Sequence, residues 1–173
     1  KLIENATTIW FERVLFAKFL DQNLSEIYSS ISGSEDKVAI KYNPPSDRFE
    51  ELLLSNRHAD IYTESTNEGP HRDDFKVFLN KREISEFASR GEFRTAVLAM
   101  QIAQIRYIEK ISGHRPMLLL DDVFSELDEV RQQKLGEFLK EYQTFITTTS
   151  KDHLKGLKNA SFYKVSGGSL EKL

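Results

Sequence analysis

Residues 117–128 read Met-Leu-Leu-Leu-Asp-Asp-Val-Phe-Ser-Glu-Leu-Asp, an apolar run that ends in two adjacent carboxylates and passes into a short polar turn closed by a third acid. The consecutive apolar residues predict a buried parallel strand. Asp121 and Asp122 then stand at its carboxyl end, where open α/β sheets bind ligands. A hard Mg²⁺ ion takes oxygen ligands or ordered waters, so one carboxylate can hold it while its neighbour polarises the water that attacks a phosphate. The same residues could serve structure alone, with Asp-Asp capping the next turn and Asp128 opening a helix.

Upstream stands Ser89-Arg90-Gly91-Glu92-Phe93-Arg94, followed by an apolar-periodic stretch from Ala96 to Ile111 that predicts a helix. The Ser89 hydroxyl can cap that helix, and Gly91 lets the backbone come close to a phosphate that a side chain would obstruct. Arg94 adds positive charge to an end that already attracts anions. Taken by itself this is an ordinary capped helix.

In order along the chain, Ser-x-Gly-x-x-Arg, then LLLDD, then Ser-Glu-Leu-Asp resemble the signature, Walker B and D-loop of ABC-type ATPases of the SMC-like branch. Together with GPHRDD at Gly69–Asp74 and QTFITTT at Gln143–Thr149, the set resembles the RecF family of bacterial recombination-repair ATPases, over about residues 35–155. The resemblance implies an α/β fold, a partial P-loop NTPase of ABC/SMC-head type with an amino-terminal helical arm segment. It also implies roles. Asp121 is the Mg²⁺-linked carboxylate and Asp122 the catalytic residue, in a place where most ABC ATPases carry glutamate. The shorter arm predicts slow hydrolysis, because a misplaced water costs catalysis heavily. Ser89, Gly91 and Arg94 would close over the γ-phosphate held by a second subunit. Ser125, Glu126 and Asp128 would form the D-loop at the dimer interface.

No G-x-x-x-x-G-K-[ST] occurs, and none of the eight glycines joins a Lys-Ser or Lys-Thr pair into a loop whose amides could cradle phosphates. The chain alone is expected to bind ATP poorly. Since proteins of this family carry that loop near the amino terminus, the chain, which opens Lys1-Leu2-Ile3 without an initiator Met, reads as the carboxyl-terminal part of a longer protein, starting inside its helical arm. Both ATP and Mg²⁺ would need the missing Walker A lobe.

With 173 residues, 39% of them hydrophobic, the chain can bury a core and fits one domain with an appendage. Its 24 basic and 27 acidic residues leave a formal charge of −3, so no global positive field holds nucleic acid and any DNA contact is local. The absence of cysteine rules out a disulfide framework and thiolate metal sites. Without a long apolar run the chain is expected to be soluble, cytoplasmic and off the membrane.

Helical spacing of Leu2, Ala6, Ile9, Phe16, Leu20, Leu24, Ile27 and Ile31 predicts one long amphipathic helix. Val38–Tyr42 alternates like a strand stopped by Pro44-Pro45, and a helix capped by Asp47 is expected to run to about His58. Phe75–Leu79 reads as a strand followed by a turn at Asn80–Glu83. A helix near Arg131–Tyr142 and strands at Thr144–Thr148 and Phe162–Val165 complete an alternating α/β pattern. The expected division is a helical arm segment over 1–62 and an ATPase lobe over 63–173.

Thr148 or Thr149 ends the strand that usually delivers a switch histidine to the γ-phosphate. Either can donate a hydrogen bond but not a positive charge, and both also read as plain β-formers. His71 and Arg72, beside Asp73 and Asp74, read either as a nucleotide or interface site or as a salt-bridged turn. No second histidine stands at ligand spacing from His71, and His58, His114 and His153 look incidental. Candidate phosphate-contacting cations are Lys76, Lys81, Arg82 and Arg90, with Lys151, Lys155 and Lys158 near the carboxyl end. They would position a duplex without reading its sequence, although dispersed lysines are more often a solvated surface.

The resemblance implies a DNA-repair ATPase that forms a homodimer around ATP, binds duplex DNA near single-strand gaps and helps load recombinase with RecO and RecR, as in DNA recombination, replication and the SOS response. Two other readings stand beside it: a non-hydrolysing ABC-like interaction module, and an SMC-like chromosome-organising head, which the short arm disfavours.

Overall fold

A computed structural model describes residues 1–43, 48–150, 157 and 160–173, less the side chain of Glu126. The chain forms two compact units, Lys1–His114 and Arg115–Leu173. This division differs from the expected 1–62 and 63–173 because residues 2–32 pack along residues 90–112 and residues 38–42 pair with residues 75–79.

The first unit opens on α1 (Leu2–Ser32), which buries Ala6, Trp10, Leu20, Leu24, Ile27, Tyr28 and Ile31 and ends on Gly33 in the left-handed conformation. It packs along α5 (Arg90–Ser112), whose Ala96, Ala99 and Ala103 are buried, small enough for two helices to approach closely. Phe16 and Phe19 lie with ring centroids 4.9 and 5.1 Å from Tyr107.

The strand β1 (Val38–Tyr42) pairs antiparallel with β2 (Phe75–Leu79), Val38 opposite Leu79 and Tyr42 opposite Phe75. β2 turns at Asn80-Lys81 into the two-residue β3 (Arg82–Glu83). Both turn residues have positive φ, 49° and 68°, as a type I′ hairpin requires. The Asn80 amide fixes that turn, donating to Asp36 Oδ1 at 2.6 Å while its Oδ1 accepts from the Lys37 N–H at 3.0 Å. Short α4 (Ile84–Phe87) leads to α5.

Between β1 and β2 the expected single helix is two, α2 (Phe49–Ser55) and α3 (Arg57–Thr63), because Asn56 both ends the first and opens the second while its amide donates to Glu68 Oε1 at 3.4 Å. The cap expected at Asp47 and the stop at Pro44-Pro45 lie outside the described residues. Phe49 packs edge-on against Trp10, 4.7 Å between centroids, joining Ala6, Tyr42 and Leu53 in a small apolar cluster.

In the second unit β4 (Leu118–Asp121) and β5 (Thr144–Thr147) are parallel, Leu118 opposite Thr144 and Asp121 opposite Thr147. A 3-10 turn (Val123–Glu126) and α6 (Glu129–Leu139) connect them. The strand expected to be buried on both faces is covered on one: Leu118 is 6% exposed, whereas Leu119 and its partner Phe145 are 76% and 56% exposed. The last hairpin, β6 (Tyr163–Ser166) and β7 (Ser169–Lys172), turns on Gly167 and Gly168, both at positive φ. No helix among the described residues is long and apolar enough to cross a membrane.

Candidate functional site

The acids at the end of β4 are held by the end of β5. Asp122 sits in the left-handed region (φ 48°, ψ 24°), a conformation Asp adopts more readily than most residues. Its N–H donates to the Thr147 carbonyl at 3.2 Å and lies 3.1 Å from the Thr147 hydroxyl. That hydroxyl in turn donates to Asp121 Oδ1. Asp121 is exposed, and among the described residues its second carboxylate oxygen has no hydrogen-bond partner.

The Asp122 carboxylate is asymmetric. The Ser125 hydroxyl lies 2.9 Å from Oδ2 and 2.8 Å from the Asp122 carbonyl, whereas Oδ1 is buried without a hydrogen-bond partner among the described residues. A buried acceptor left unpaired is costly.

Of the three residues expected in the D-loop, Ser125 braces Asp122. Asp128 instead caps α6, accepting from the Arg131 N–H at 2.9 Å and ion-pairing with the Arg131 guanidinium. Its pKa is lowered, chiefly by the Arg131 N–H and further by the Arg131 charge. Of Glu126 only the backbone, at the end of the 3-10 turn, is described. The turn is fastened from α6, where the Gln132 amide donates to the Phe124 and Leu127 carbonyls at 2.8 and 3.0 Å, and by Phe124, 1% exposed.

The expected threonines lie beyond this junction. Thr148 Oγ1 donates to the Ser150 carbonyl at 3.2 Å, and Thr149 is exposed. Thr147 is the hydroxyl that touches both acids, and the sequence signal for it is strand-end alignment: β4 ends on Asp121 as β5 ends on Thr147.

In the first unit Ser89 caps α5 as expected, its hydroxyl accepting from the Glu92 N–H at 3.2 Å. Glu92 returns the contact, accepting from the Ser89 N–H at 2.7 Å, which completes a capping box. Gly91 lies in the first turn and Arg94 is exposed. The Glu92 pKa is lowered, first by the Ser89 side chain and then by the Ser89 backbone. A group whose folded pKa is depressed stabilises above its unfolded pKa and stops doing so as pH falls through the folded one. Ser89→Ala should cost about 1 kcal/mol, and the gap from wild type in denaturant titrations should narrow, without closing, as Glu92 is protonated, because the Glu92 N–H bond to the Ser89 hydroxyl does not depend on the carboxylate.

His71 and Arg72 both reach the preceding loop. His71 Nε2 lies 2.8 Å from the Thr66 carbonyl, while Arg72 donates to that carbonyl at 3.2 Å and to the Ser65 hydroxyl at 3.1 Å. The buried centre of the motif is Asp73, whose Oδ2 accepts from Trp10 Nε1, Arg13 and the Tyr42 hydroxyl at 2.8, 2.8 and 2.7 Å. Burial first, and then Asp73, push the Tyr42 hydroxyl up to about 12.

Among the cations, Lys76 pairs with Glu83 at 2.6 Å and the Arg82 guanidinium lies 4.1 Å from the centroid of the Phe87 ring. Lys81 and Arg90 are exposed. Lys151, Lys155 and Lys158, like His153, lie outside the described residues.

No group of three or more metal-binding side chains occurs among the described residues. The fit to a hard cation is therefore partial: the unengaged oxygen of Asp121 is a suitable ligand, and Mg²⁺ characteristically takes one or two carboxylates with waters and substrate phosphates.

A parallel strand ending in paired acids, fastened to the next strand and followed by a helical connection, fits a partial P-loop fold of the ABC/SMC-head type. A solved SMC ATPase has this fold, with a TM-score of 0.56 at 16% identity over 94% of this chain and 86% of its own. Within that class the chain is related to RecF. It is 41% identical over 99% of its length to the "DNA replication and repair protein RecF" of Lactococcus lactis subsp. cremoris strain SK11, and 37% identical over 98% to that of Oenococcus oeni. The structure of "the recombination mediator protein RecF-ATPrS in RecFOR pathway" aligns with a TM-score of 0.78 and 30% identity over 97% of this chain and 47% of its own. The chain spans about half the length of these relatives, 49% of both curated ones. No protein-family model matches it.

Proposed function

We propose that this chain is the carboxyl-terminal, Walker B and signature-bearing part of a RecF-type DNA-repair ATPase. The observation that carries the reading is the acidic strand end, where, among the described residues, Asp122 has a buried carboxylate oxygen without a partner and Asp121 has one oxygen that accepts no hydrogen bond. Relatives named for DNA replication and repair, and solved relatives described with ATP and with its analogue ATPrS, support it.

In this reading Asp121 holds Mg²⁺, which neutralises phosphate charge when bound. Asp122 orients the water that attacks the γ-phosphate, and its short side chain makes turnover slow, as suits a switch. Ser89, Gly91 and Arg94 approach nucleotide bound by a second subunit, since a helix N-terminus favours anions. Ser125, Glu126 and Asp128 face the dimer interface, Ser125 linking it to Asp122. Thr148 and Thr149 lie beyond the acid junction as hydroxyls for the phosphate, and His71 and Arg72 order a loop near the nucleotide or the interface. Lys76, Lys81, Arg82 and Arg90 contribute local contacts to duplex DNA near single-strand gaps. RecO and RecR are the partners that the RecFOR setting of the solved relatives suggests, and a cytoplasmic location accords with it.

The test joins this chain to a phosphate-loop half of the kind carried by RecF relatives. The joined protein should hydrolyse ATP with Mg²⁺ and dimerise when ATP is present. Ser89→Arg fills the space for the partner's phosphate and should abolish nucleotide-dependent dimers in analytical ultracentrifugation. Dimers at the wild-type level would refute the cross-subunit role.

A further inference from the structure

The second carboxylate needs an explanation beyond its own chemistry. Asp122 is pinned in a left-handed backbone conformation, and among the described residues Asp121 has one oxygen that accepts a hydrogen bond and one that does not. Both conditions trace to Thr147. Its hydroxyl donates to Asp121 Oδ1 and lies 3.1 Å from the Asp122 N–H as acceptor, using both its proton and a lone pair. The parallel register sets this up, because Asp121 and Thr147 are direct partners.

We infer that Thr147 is a positioning residue for hydrolysis: its hydroxyl fixes the orientation of the cation-linked carboxylate and, together with the Thr147 carbonyl, holds the backbone of the water-orienting one. The inference rests on the ATPase reading of Asp121 and Asp122 and adds a residue to that site. With Oδ1 of Asp121 held by the hydroxyl, the other oxygen is directed away from Thr147 and stays open to a cation. With the Asp122 N–H held, its carboxylate keeps the orientation that Ser125 completes. Outer hydrogen-bond partners of metal-site carboxylates commonly alter affinity or activity by about 10–100-fold.

Thr147→Val keeps the branched shape and removes the hydroxyl, whereas Thr147→Ser keeps the hydroxyl and removes a methyl. In the joined protein, Thr147→Val should lower kcat by about 10–100-fold and raise the Mg²⁺ concentration at half-maximal rate, with the KM for ATP changed little. Thr147→Ser should restore most of the turnover. A purely structural role would lower the melting temperature of Thr147→Val while leaving kcat and Mg²⁺ dependence within about two-fold of wild type, and that outcome overturns the inference. Should the valine variant not fold, Thr147→Ala against Thr147→Ser isolates the hydroxyl, and equal kcat in that pair overturns it equally. Full activity in Asp122→Asn would remove the underlying ATPase assignment. Loss of activity there with none in the Thr147 variants would remove Thr147 alone.

Discussion

In the proposed ATPase joined to a phosphate-loop half, Asp122→Asn should leave ATP binding intact and reduce turnover by about 10²-fold or more, the range general acid–base groups typically contribute, equivalent to about 3 kcal/mol in the barrier. The substitution is nearly isosteric, so the effect is chemical. Asparagine tolerates the left-handed backbone at least as well as aspartate, and its carbonyl oxygen can still accept from Ser125. It cannot accept the proton of an attacking water, and an NH₂ at the buried Oδ1 position presents donors where an acceptor now stands. Single-turnover phosphate release with fluorescent-nucleotide binding separates the two effects, and chemical denaturation should place the variant within about 0.5 kcal/mol of wild type. Turnover at the wild-type level would exclude Asp122 from the reaction.

How much of this was legible in the letters depends on how far apart the interacting residues stand. The 3.6-residue period of α1 and the Ser89 cap are local, and the structure places both as the sequence predicts. The capping box was equally local, Ser89 followed three residues later by Glu92, as was the Gly167-Gly168 hairpin turn. The choice between Thr147 and its two neighbours was different. Three consecutive threonines are equivalent until strand register distinguishes them, and register depends on pairing across 26 positions. The compact units divide elsewhere, after His114, for a related reason. A break after residue 62 looks natural along the chain, but β1 needs β2 for its hydrogen bonds and α1 needs α5 to cover its apolar face. The buried reading of β4 was half right for this chain, because Leu119 and Phe145 present an uncovered face. Parallel sheets are characteristically covered on both sides, and the relatives are about twice as long.

Asp73→Ala should destabilise the first unit by about 2–3 kcal/mol, the loss of three partly buried hydrogen bonds at about 1 kcal/mol each. Nothing in GPHRDD shows which of its two aspartates is the structural one, since the three donors to Asp73 come from positions 63, 60 and 31 residues earlier. The side chain is 8% exposed. Without it the Trp10 N–H and the Tyr42 hydroxyl lose their acceptor in partly buried surroundings, while Arg13, 41% exposed, can recover some hydration. Trp10 is the sole tryptophan, so urea titration followed by its fluorescence reports on this junction. Tyr42→Phe should cost only about 1 kcal/mol in wild type and close to nothing once Asp73 is gone, the coupling a double-mutant cycle detects. The sign of the pH effect follows from the raised Tyr42 pKa: stability is complete below pH 10 and is lost as pH climbs through about 12. In Asp73→Ala the upper end of that window should move down, because the raising contributions of Asp73 are lost while the lowering ones of Arg13 remain. A destabilisation under about 1 kcal/mol, the range of an exposed pair, would mean that water already competes for Asp73, and the junction would lose its place as the tie between α1, β1 and the turn before β2.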